Sequence, residues 1–364
     1  MDPSSRIPET MLAVRAQGPN QLRLHPTTPV PRVRPGYMVI RVSAVALNPS
    51  DYKRLVVFKE DSLHTMGCDV AGRVVLVGED VNGFGVGDRV AGLCYSMKPG
   101  DAECGAFGQY ALLKGQLSMR IPEHVSDAEA ATVAVGINFG GLGLYHSLGL
   151  PLPRLDLSGH SEIGPAVLIY GGATATGMMA LQLARLSGCR VLATCSPKNF
   201  QLAKALGAHD VFDYHDARTC GPQIRQATDN KLLYALDCVA QGDSLRICAD
   251  ALTSAPGKAR YTASLPVSSQ AFPRAQDDVR HGWTSGYSAF GEGTHLTGPL
   301  GEANAKDLEF AARFWKLAAA LLEQDRIRLG PFVHLRQGGL QGVPQGLQEL
   351  KDGRVSAGKL VYVL

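Results

Sequence analysis

Residues 167–188, VLIYGGATATGMMALQLARLSG, constrain the fold more than any other stretch of this chain. A short apolar run of β-forming residues meets two adjacent glycines, and an apolar helix-forming run follows at once. Strand, tight turn and helix in that order aim backbone N–H groups and the positive end of the helix at one point. That point accepts an anion such as a pyrophosphate. Gly171 and Gly172 allow the turn, and Gly177 lets the helix lie close against the strand. The spacing is not G-x-G-x-x-G, so on this motif alone a plain strand-to-helix turn stays open.

The alternation continues downstream. CRVLATCS reads as a second strand, NFQLAKALGA as a second helix, DVFDY as a third strand, LLYALDCV as a later strand and SLRICADAL as a further helix. Strands alternating with helices of this length imply βαβ units and an α/β, doubly wound parallel sheet. The chain before them has another texture. MLAVRA, YMVIRVSAVAL, GRVVLVG and DRVAGL are Val-rich runs, and DVNGFGVGDRV is dense in turn residues. Met11 to about Arg120 therefore reads as a mostly β domain. Ser126 with Glu129 three residues on is a capping signal that opens a helix. LPLPRLDLSGHSEIGP, rich in Pro and Gly, reads as an exposed insertion. DLEFAARFWKLAAALLEQDRI reads as a long helix, and the tail GRVSAGKLVYVL as a strand that returns to the first domain. A length of 364 residues suits two domains.

Composition excludes several classes. The hydrophobic fraction of 45% and charged fraction of 19% are ordinary for globular chains. The net charge of +3 comes without any Lys/Arg run, so there is no electrostatic footprint for nucleic acid. Eight cysteines (Cys68, Cys94, Cys104, Cys189, Cys195, Cys220, Cys238 and Cys248) form no C-x-x-C pair, and most sit in apolar runs. They read as reduced thiols of an intracellular protein. MDPSSRIPET lacks the charged and apolar regions of a signal peptide. No apolar segment reaches the roughly 20 residues of a membrane helix. A cytoplasmic protein off the membrane is expected.

The second strand sharpens the cofactor reading. An NAD site places Asp or Glu at the end of this strand to hold the ribose 2′-hydroxyl. No acid occurs from Arg190 to Asn199; Ser196, Lys198 and Asn199 stand there instead. A hydroxyl, a cation and an amide suit a 2′-phosphate, so NADPH is expected over NADH. Tyr214, in VFDYHD, is positioned for the adenosine end or, equally, for capping the sheet. In the first domain ALNPSDYKR follows an apolar strand and offers Asn48, Ser50, Asp51, Tyr52 and Lys53. It reads either as a surface turn or as the place where a nicotinamide and a substrate carbonyl meet.

Together NPSDYK, GCDVAGRVVLVGEDV, FGVGDRV, GAFGQYALL, IYGGATATG and SAGKLVYVL resemble the medium-chain dehydrogenase/reductase superfamily over essentially the whole chain. A narrower set, PSDYK, GGATAT, ATCSPKNFQLAKALGA, FDYHD, YALDC, FGEG and VSAGKLV, resembles the trans-acting enoyl reductases of fungal polyketide assembly lines, of the lovastatin type. The resemblance implies a GroES-like β domain, residues 1–135 and 300–364, and a Rossmann domain, residues 136–299. It implies NADPH contacts at Pro49, Ser50, Asp51 and Tyr52, at Ala173, Thr174, Ala175 and Thr176, and at Ser196, Pro197, Lys198 and Asn199. Further contacts are implied at Tyr214, Ser264, Leu265, Val355 and Ser356. The acyl chain would follow Thr132, Val133, Ala134, Val135, Gly136, Ile137, Asn138 and Phe139, and then Gly282, Trp283, Thr284, Ser285 and Gly286. The implied partner is a highly reducing polyketide synthase, alone or fused to a peptide synthetase, which presents substrate on its acyl carrier domain. The implied state is a monomer.

The sequence departs from relatives in two places. Zinc-free reductases often read GASGGVG at the phosphate loop, where this chain has Thr174 and Ala175. Zinc-dependent relatives carry a Cys after the first strand, a GHE motif and a four-cysteine lobe. Here those places read Asn48–Pro49–Ser50 and Gly67–Cys68–Asp69, and the lobe is missing. Zinc needs three or four convergent ligands, so Cys68, Asp69 and His64 are not expected to hold a metal. Hydride addition to the β-carbon of an unsaturated thioester builds charge on the thioester oxygen; Lys53 is the candidate donor to it, a plain surface lysine is the other reading of that residue, and the backbone around Gly136–Phe139 is a second candidate donor. Two rivals stay open. One is a reductase of free quinones or small enones, and the other is a non-catalytic NADPH-binding protein.

Overall fold

A computed structural model describes residues 7–58, 62–156, 164–268, 271–274, 279–293 and 302–364. Its centre is a six-stranded sheet ordered Asp210–Phe212, Cys189–Thr194, Gly164–Tyr170, Tyr234–Asp237, Arg260–Ala263 and Arg280–Trp283, with every neighbour parallel. In chain order this is 3-2-1-4-5-6, so the winding reverses between the first strand and the fourth. Along the first strand Val167 and Ile169 enter one core cluster, while Leu168 and Tyr170 enter another. Helices cover both faces of the sheet, which is why VLIY is a continuous apolar run and not an alternating one.

The other body is antiparallel for the most part. Seven strands join Val333–Arg336, Lys359–Val363, Tyr37–Ala46, Asp69–Val77, Arg89–Leu93 and Ser118–Arg120, with Tyr110–Lys114 pairing beside Tyr37–Ala46. The C-terminal strand lies antiparallel to the third, Val361 opposite Ala46. A small sheet of Leu22–Pro29, Thr10–Ala16 and His64–Thr65 flanks it. The two bodies share one apolar core. It runs from Val39, Ala71 and Leu93 through the helix Ala134–Gly141 to Val167, Ile169 and Val191. The long helix Ala305–Glu323 closes this core, and Gly141 lets its Phe314 in: an added Cβ would lie 2.2 Å from the ring.

Local chemistry sets several boundaries. Ser126 Oγ accepts from the Glu129 N–H at 3.2 Å, and Glu129 Oε2 accepts from the Ser126 N–H at 3.0 Å, a reciprocal cap. The expected strands and helices of the parallel sheet are present. Several elements lie outside the sequence reading, among them the strands Arg260–Ala263, Arg280–Trp283 and Val333–Arg336. The helices Ala217–Ala227 and Gly339–Lys351 carry Pro222 and Pro344 inside them. Proline removes a helical donor, so it masks a helix from local reading. The strand Leu22–Pro29 contains Pro26 and Pro29 and sits at a sheet edge, where a missing N–H is tolerated. Of the expected insertion, residues 157–163 lie outside the described residues.

Candidate active site

The strand ends of the parallel sheet open into one cavity of about 1210 Å³. Tyr170 and Gly171 follow the first strand, and Cys195 and Ser196 the second. Cys238 and Val239 follow the fourth, Ser264 and Leu265 the fifth, and Trp283 and Thr284 end the sixth. The far wall comes from the antiparallel body: Asn48, Pro49, Ser50, Tyr52, Lys53, Arg54, Cys68 and the segment Val355–Lys359. A crevice at the carboxyl ends of the strands, across the reversal point, is where doubly wound sheets bind nucleotides.

The phosphate turn is built as its sequence requires. Gly171 sits at φ +78°, a conformation that favours glycine. Gly171 and Gly172 donate their N–H groups to Thr194, at 3.1 Å to Oγ1 and 2.8 Å to the carbonyl. Thr174 is the N-cap of the helix Ala175–Leu186. Its Oγ1 accepts from the Gly177 N–H at 3.0 Å and donates to the Gly171 carbonyl at 2.8 Å. An added Cβ at Gly177 would lie 2.1 Å from the Gly171 oxygen, so the helix end rests directly on the turn. Ala175 and Thr176 begin the helix, have no partners inside it for their N–H groups, and line the cavity.

At the opposite end the expected polar turn is a helix, Pro49–Val57. Asn48 caps it, Pro49 takes the first position, and Asp51 Oδ2 accepts from the Asn48 N–H at 2.8 Å. Asn-Pro followed by an acid two residues on was the readable signal. Behind the helix lies a buried polar hub. Asp69 accepts from Asn48 Nδ2 at 2.7 Å, from the Val135 N–H at 2.8 Å, and from the ammonium of Lys359. Both charged side chains are almost fully enclosed, at 0% and 2% exposure. Asp51 is buried beside this hub. Burial, together with the charge of Asp69, pushes its carboxyl up to about 7 despite the Asn48 N–H.

The helix Ala134–Gly141 presents one face to the cavity, namely Val135, Asn138 and Phe139. That is helical spacing, so the contiguous span expected from sequence divides. Ala134 and Ile137 pack in the core, and Gly136 lies against Met179. Thr132 and Val133 precede the helix and are buried, Thr132 Oγ1 donating to the Glu129 carbonyl. Asn138 is fixed between Trp315 Nε1 and the Gly286 carbonyl, to which it donates at 2.7 Å.

Most of the other expected contacts are also brought together. Pro49, Ser50, Tyr52, Lys53, Ala173–Thr176, Ser196, Asn199, Tyr214, Ser264, Leu265, Trp283–Gly286, Val355 and Ser356 all line the cavity. Ser196 shares a hydrogen bond with Tyr214 at 3.3 Å, and Asn199 donates to Ser356 Oγ at 3.3 Å. Asp51, Pro197, Lys198 and Gly282 are not among the lining residues. Asp51 is held behind the helix that begins at Pro49. Pro197 and Lys198 are exposed in the short turn Pro197–Asn199. Lys53 is half-buried, burial lowers its pKa, and its Nζ donates to Gln241 Oε1 at 3.2 Å.

Sequence reasoning gave no role to Arg54, His215 or Tyr287, all of which line the cavity. Each belongs to a segment whose placement depends on long-range packing. Among the described residues no group of three His, Cys, Asp or Glu converges as a metal site. The three candidate ligands are committed elsewhere: Asp69 to Lys359, Cys68 to Tyr287, and His64 to Ser62 and the Phe58 ring. These residues do not fit a zinc ion. All eight cysteines are free.

Residues 34–123 match the alcohol dehydrogenase GroES-like domain family, and residues 175–276 match the family described as zinc-binding dehydrogenase. Trans-enoyl reductase ACTTS2 of Alternaria alternata is 42% identical over 354 residues, 96% of this chain and 97% of that protein. Trans-enoyl reductase resD of Aspergillus sclerotiorum is 40% identical, covering 97% of this chain and 99% of its own. The enoyl reductase component lovC of lovastatin nonaketide synthase, from Aspergillus terreus, is 37% identical, covering 98% and 97%. Among solved structures, the CurK enoyl reductase has a TM-score of 0.73 at 18% identity, covering 97% of this chain and 99% of that one. An alcohol dehydrogenase superfamily protein of Novosphingobium aromaticivorans has a TM-score of 0.76 at 22% identity, covering 98% and 100%. These two likenesses concern the fold. The fold, the nucleotide crevice and the full-length relatives agree: this chain belongs to the trans-enoyl reductases of the medium-chain dehydrogenase/reductase superfamily.

Proposed function

We propose that this protein is a trans-acting enoyl reductase. It uses NADPH to reduce the α,β-double bond of a polyketide thioester held on the acyl carrier domain of a separate polyketide synthase. It works as a cytosolic monomer. The observation that carries this reading is the single cavity that joins a phosphate-binding helix end to an apolar wall of Val135, Phe139 and Trp283. The cofactor, when bound, supplies a hydride to the β-carbon.

The chain's own residues do the rest. The helix end at Ala175–Thr176 and the threonine cap receive the pyrophosphate. Ser196, Asn199 and Tyr214 stand at the second and third strand ends, with Lys198 beside them and no acid from Arg190 to Asn199. That set favours a 2′-phosphate. Lys53 reaches the crevice from the opposite body, where a cation stabilises the negative charge that develops on the thioester oxygen. Val135, Phe139, Trp283 and Gly286 offer a largely apolar wall for the acyl chain.

The test is consumption of NADPH by the purified protein with a crotonyl or longer enoyl thioester of pantetheine. Quinones and a free enone are measured beside it. Faster turnover of the thioester supports the proposal. Turnover of quinones alone overturns it, and so does the absence of any turnover. Lys53→Ala should lower turnover at saturating substrate, and an unchanged rate removes Lys53 from the mechanism.

A further inference from the structure

We propose that Tyr287 is the acid that protonates the α-carbon, so that its hydroxyl completes the reduction begun at the β-carbon. This rests on the enoyl reductase reading above. Reduction of the conjugated bond needs two deliveries. The hydride forms the β C–H bond with its own electron pair, and the displaced π pair moves into an enolate. A proton must then form the α C–H bond with that enolate pair, and an O–H bond must break to give it.

Tyr287 meets the geometric needs of such a donor. It lines the cavity directly after Gly286 of the substrate wall and faces Cys68 of the opposite body, with the hydroxyl 3.1 Å from the Cys68 sulfur. Several neighbouring polar groups are committed to bonds away from the cavity centre. Thr284 is bonded to Thr262 at 2.8 Å, and the Asn138 amide donates to Gly286. Ser196 and Tyr214 pair with each other at the far, nucleotide end.

What separates Tyr287 from an ordinary aromatic lining is the charge behind it. The Arg54 guanidinium lies 4.3 Å from the ring centroid, and Arg54 also donates to the Met97 carbonyl at 2.9 Å. A fixed cation at that distance stabilises the tyrosinate left when the proton departs. Burial pushes the Tyr287 hydroxyl well above the ordinary tyrosine value, and the Arg54 charge opposes that shift only in part. Reprotonation has a path as well. The Cys68 thiol faces Asp51, whose carboxyl, at about 7, carries a proton for part of the time near neutral pH.

The ring is also held still. Tyr95 stacks on it at 4.4 Å between centroids. Five residues on, Glu292 anchors the same segment, accepting from Tyr37 at 2.7 Å and from Lys114 at 2.9 Å and pairing with Lys98 at 2.7 Å. The motif FGEG, which the nucleotide crevice does not use, therefore fixes the donor.

The experiment runs the reduction in deuterium oxide and reads the product for deuterium at the α-carbon, beside NADPH affinity measured by its fluorescence on binding. The wild type should deuterate one α face only. Tyr287→Phe keeps the ring over Arg54 and removes only the hydroxyl. It should bind NADPH within about twofold of wild type, lose on the order of 100-fold in turnover, and deuterate both faces. Turnover within about threefold of wild type, with one face still deuterated, overturns the assignment. Tyr287 replaced by 3-fluorotyrosine, a more acidic phenol of nearly the same shape, should move the alkaline limb of the turnover profile to lower pH. A stationary limb also overturns the assignment. If the wild type itself reduces no enoyl thioester, the enoyl reductase reading fails and this proposal with it. A normal wild type with an unaffected Tyr287→Phe removes the proposal alone.

Discussion

Replacing Lys359 by Met isolates the energetics of the hub beneath the cavity. The Lys359 ammonium and the Asp69 carboxylate are in contact at 2% and 0% exposure. At an effective dielectric near 20, a pair in contact gains on the order of 5 kcal/mol of Coulomb energy, much of it offset by the desolvation of both ions. Lys359→Met leaves Asp69 charged, buried and served only by Asn48 at 2.7 Å and the Val135 N–H at 2.8 Å. The expected cost is about 3–5 kcal/mol. Asp69→Asn strands the ammonium and should cost a similar amount. The double variant has no lone charge, so it should cost less than the sum of the two, with a coupling of about 2–4 kcal/mol. Denaturant unfolding of the four proteins, read at constant slope, gives all the terms. A single-variant cost under about 1 kcal/mol, or additivity within about 0.5 kcal/mol, would refute the argument that this pair is an interdependent unit.

Three further outcomes follow from the site. Gly177→Ala drives a Cβ to 2.1 Å from the Gly171 oxygen, so it should lower the melting temperature and abolish nicotinamide nucleotide binding by calorimetry; wild-type affinity would show that the turn does not grip phosphate. Ser196→Ala with Lys198→Ala should weaken NADPH binding on the order of 10- to 100-fold and leave NADH nearly unchanged, and equal affinity for NADPH removes the 2′-phosphate assignment. Asp51 holds its proton up to about 7 when folded against an ordinary value near 3.8, so the folded state binds more protons across that interval. Stability should therefore fall as pH rises from about 4 to about 7, by at most about 4 kcal/mol from this group. Asp51→Asn should flatten that slope in urea titrations, and an unchanged slope would mean that Asp51 is ionised throughout.

Four strands of the parallel sheet were legible, the central ones as compact apolar words buried on both faces, whereas Arg260–Ala263 and Arg280–Trp283, RYTA and RHGW, carry no such pattern. The phosphate turn was legible for the same local reason: Gly171 and Gly177 are required by backbone geometry within one short stretch. The other wall was legible only in part. Val135, Asn138 and Phe139 were within the expected span, but a span carries no information about which helical face points inward. Arg54, Tyr287 and Lys359 were invisible, because what matters about each is a partner more than 40 residues away in the chain. Arg54 acts through Tyr287, Tyr287 through Cys68, and Lys359 through Asp69. Nothing local marks a lysine in VSAGKLV as one that will be sealed from water.

The anchorage of Glu292 has a mechanical consequence. Three donors from the antiparallel body converge on one carboxylate, holding it down at about 2. On the opposite rim the bodies meet through single side-chain contacts, Lys53 with Gln241 and Asn199 with Ser356. One side of the cleft is therefore riveted and the other merely latched.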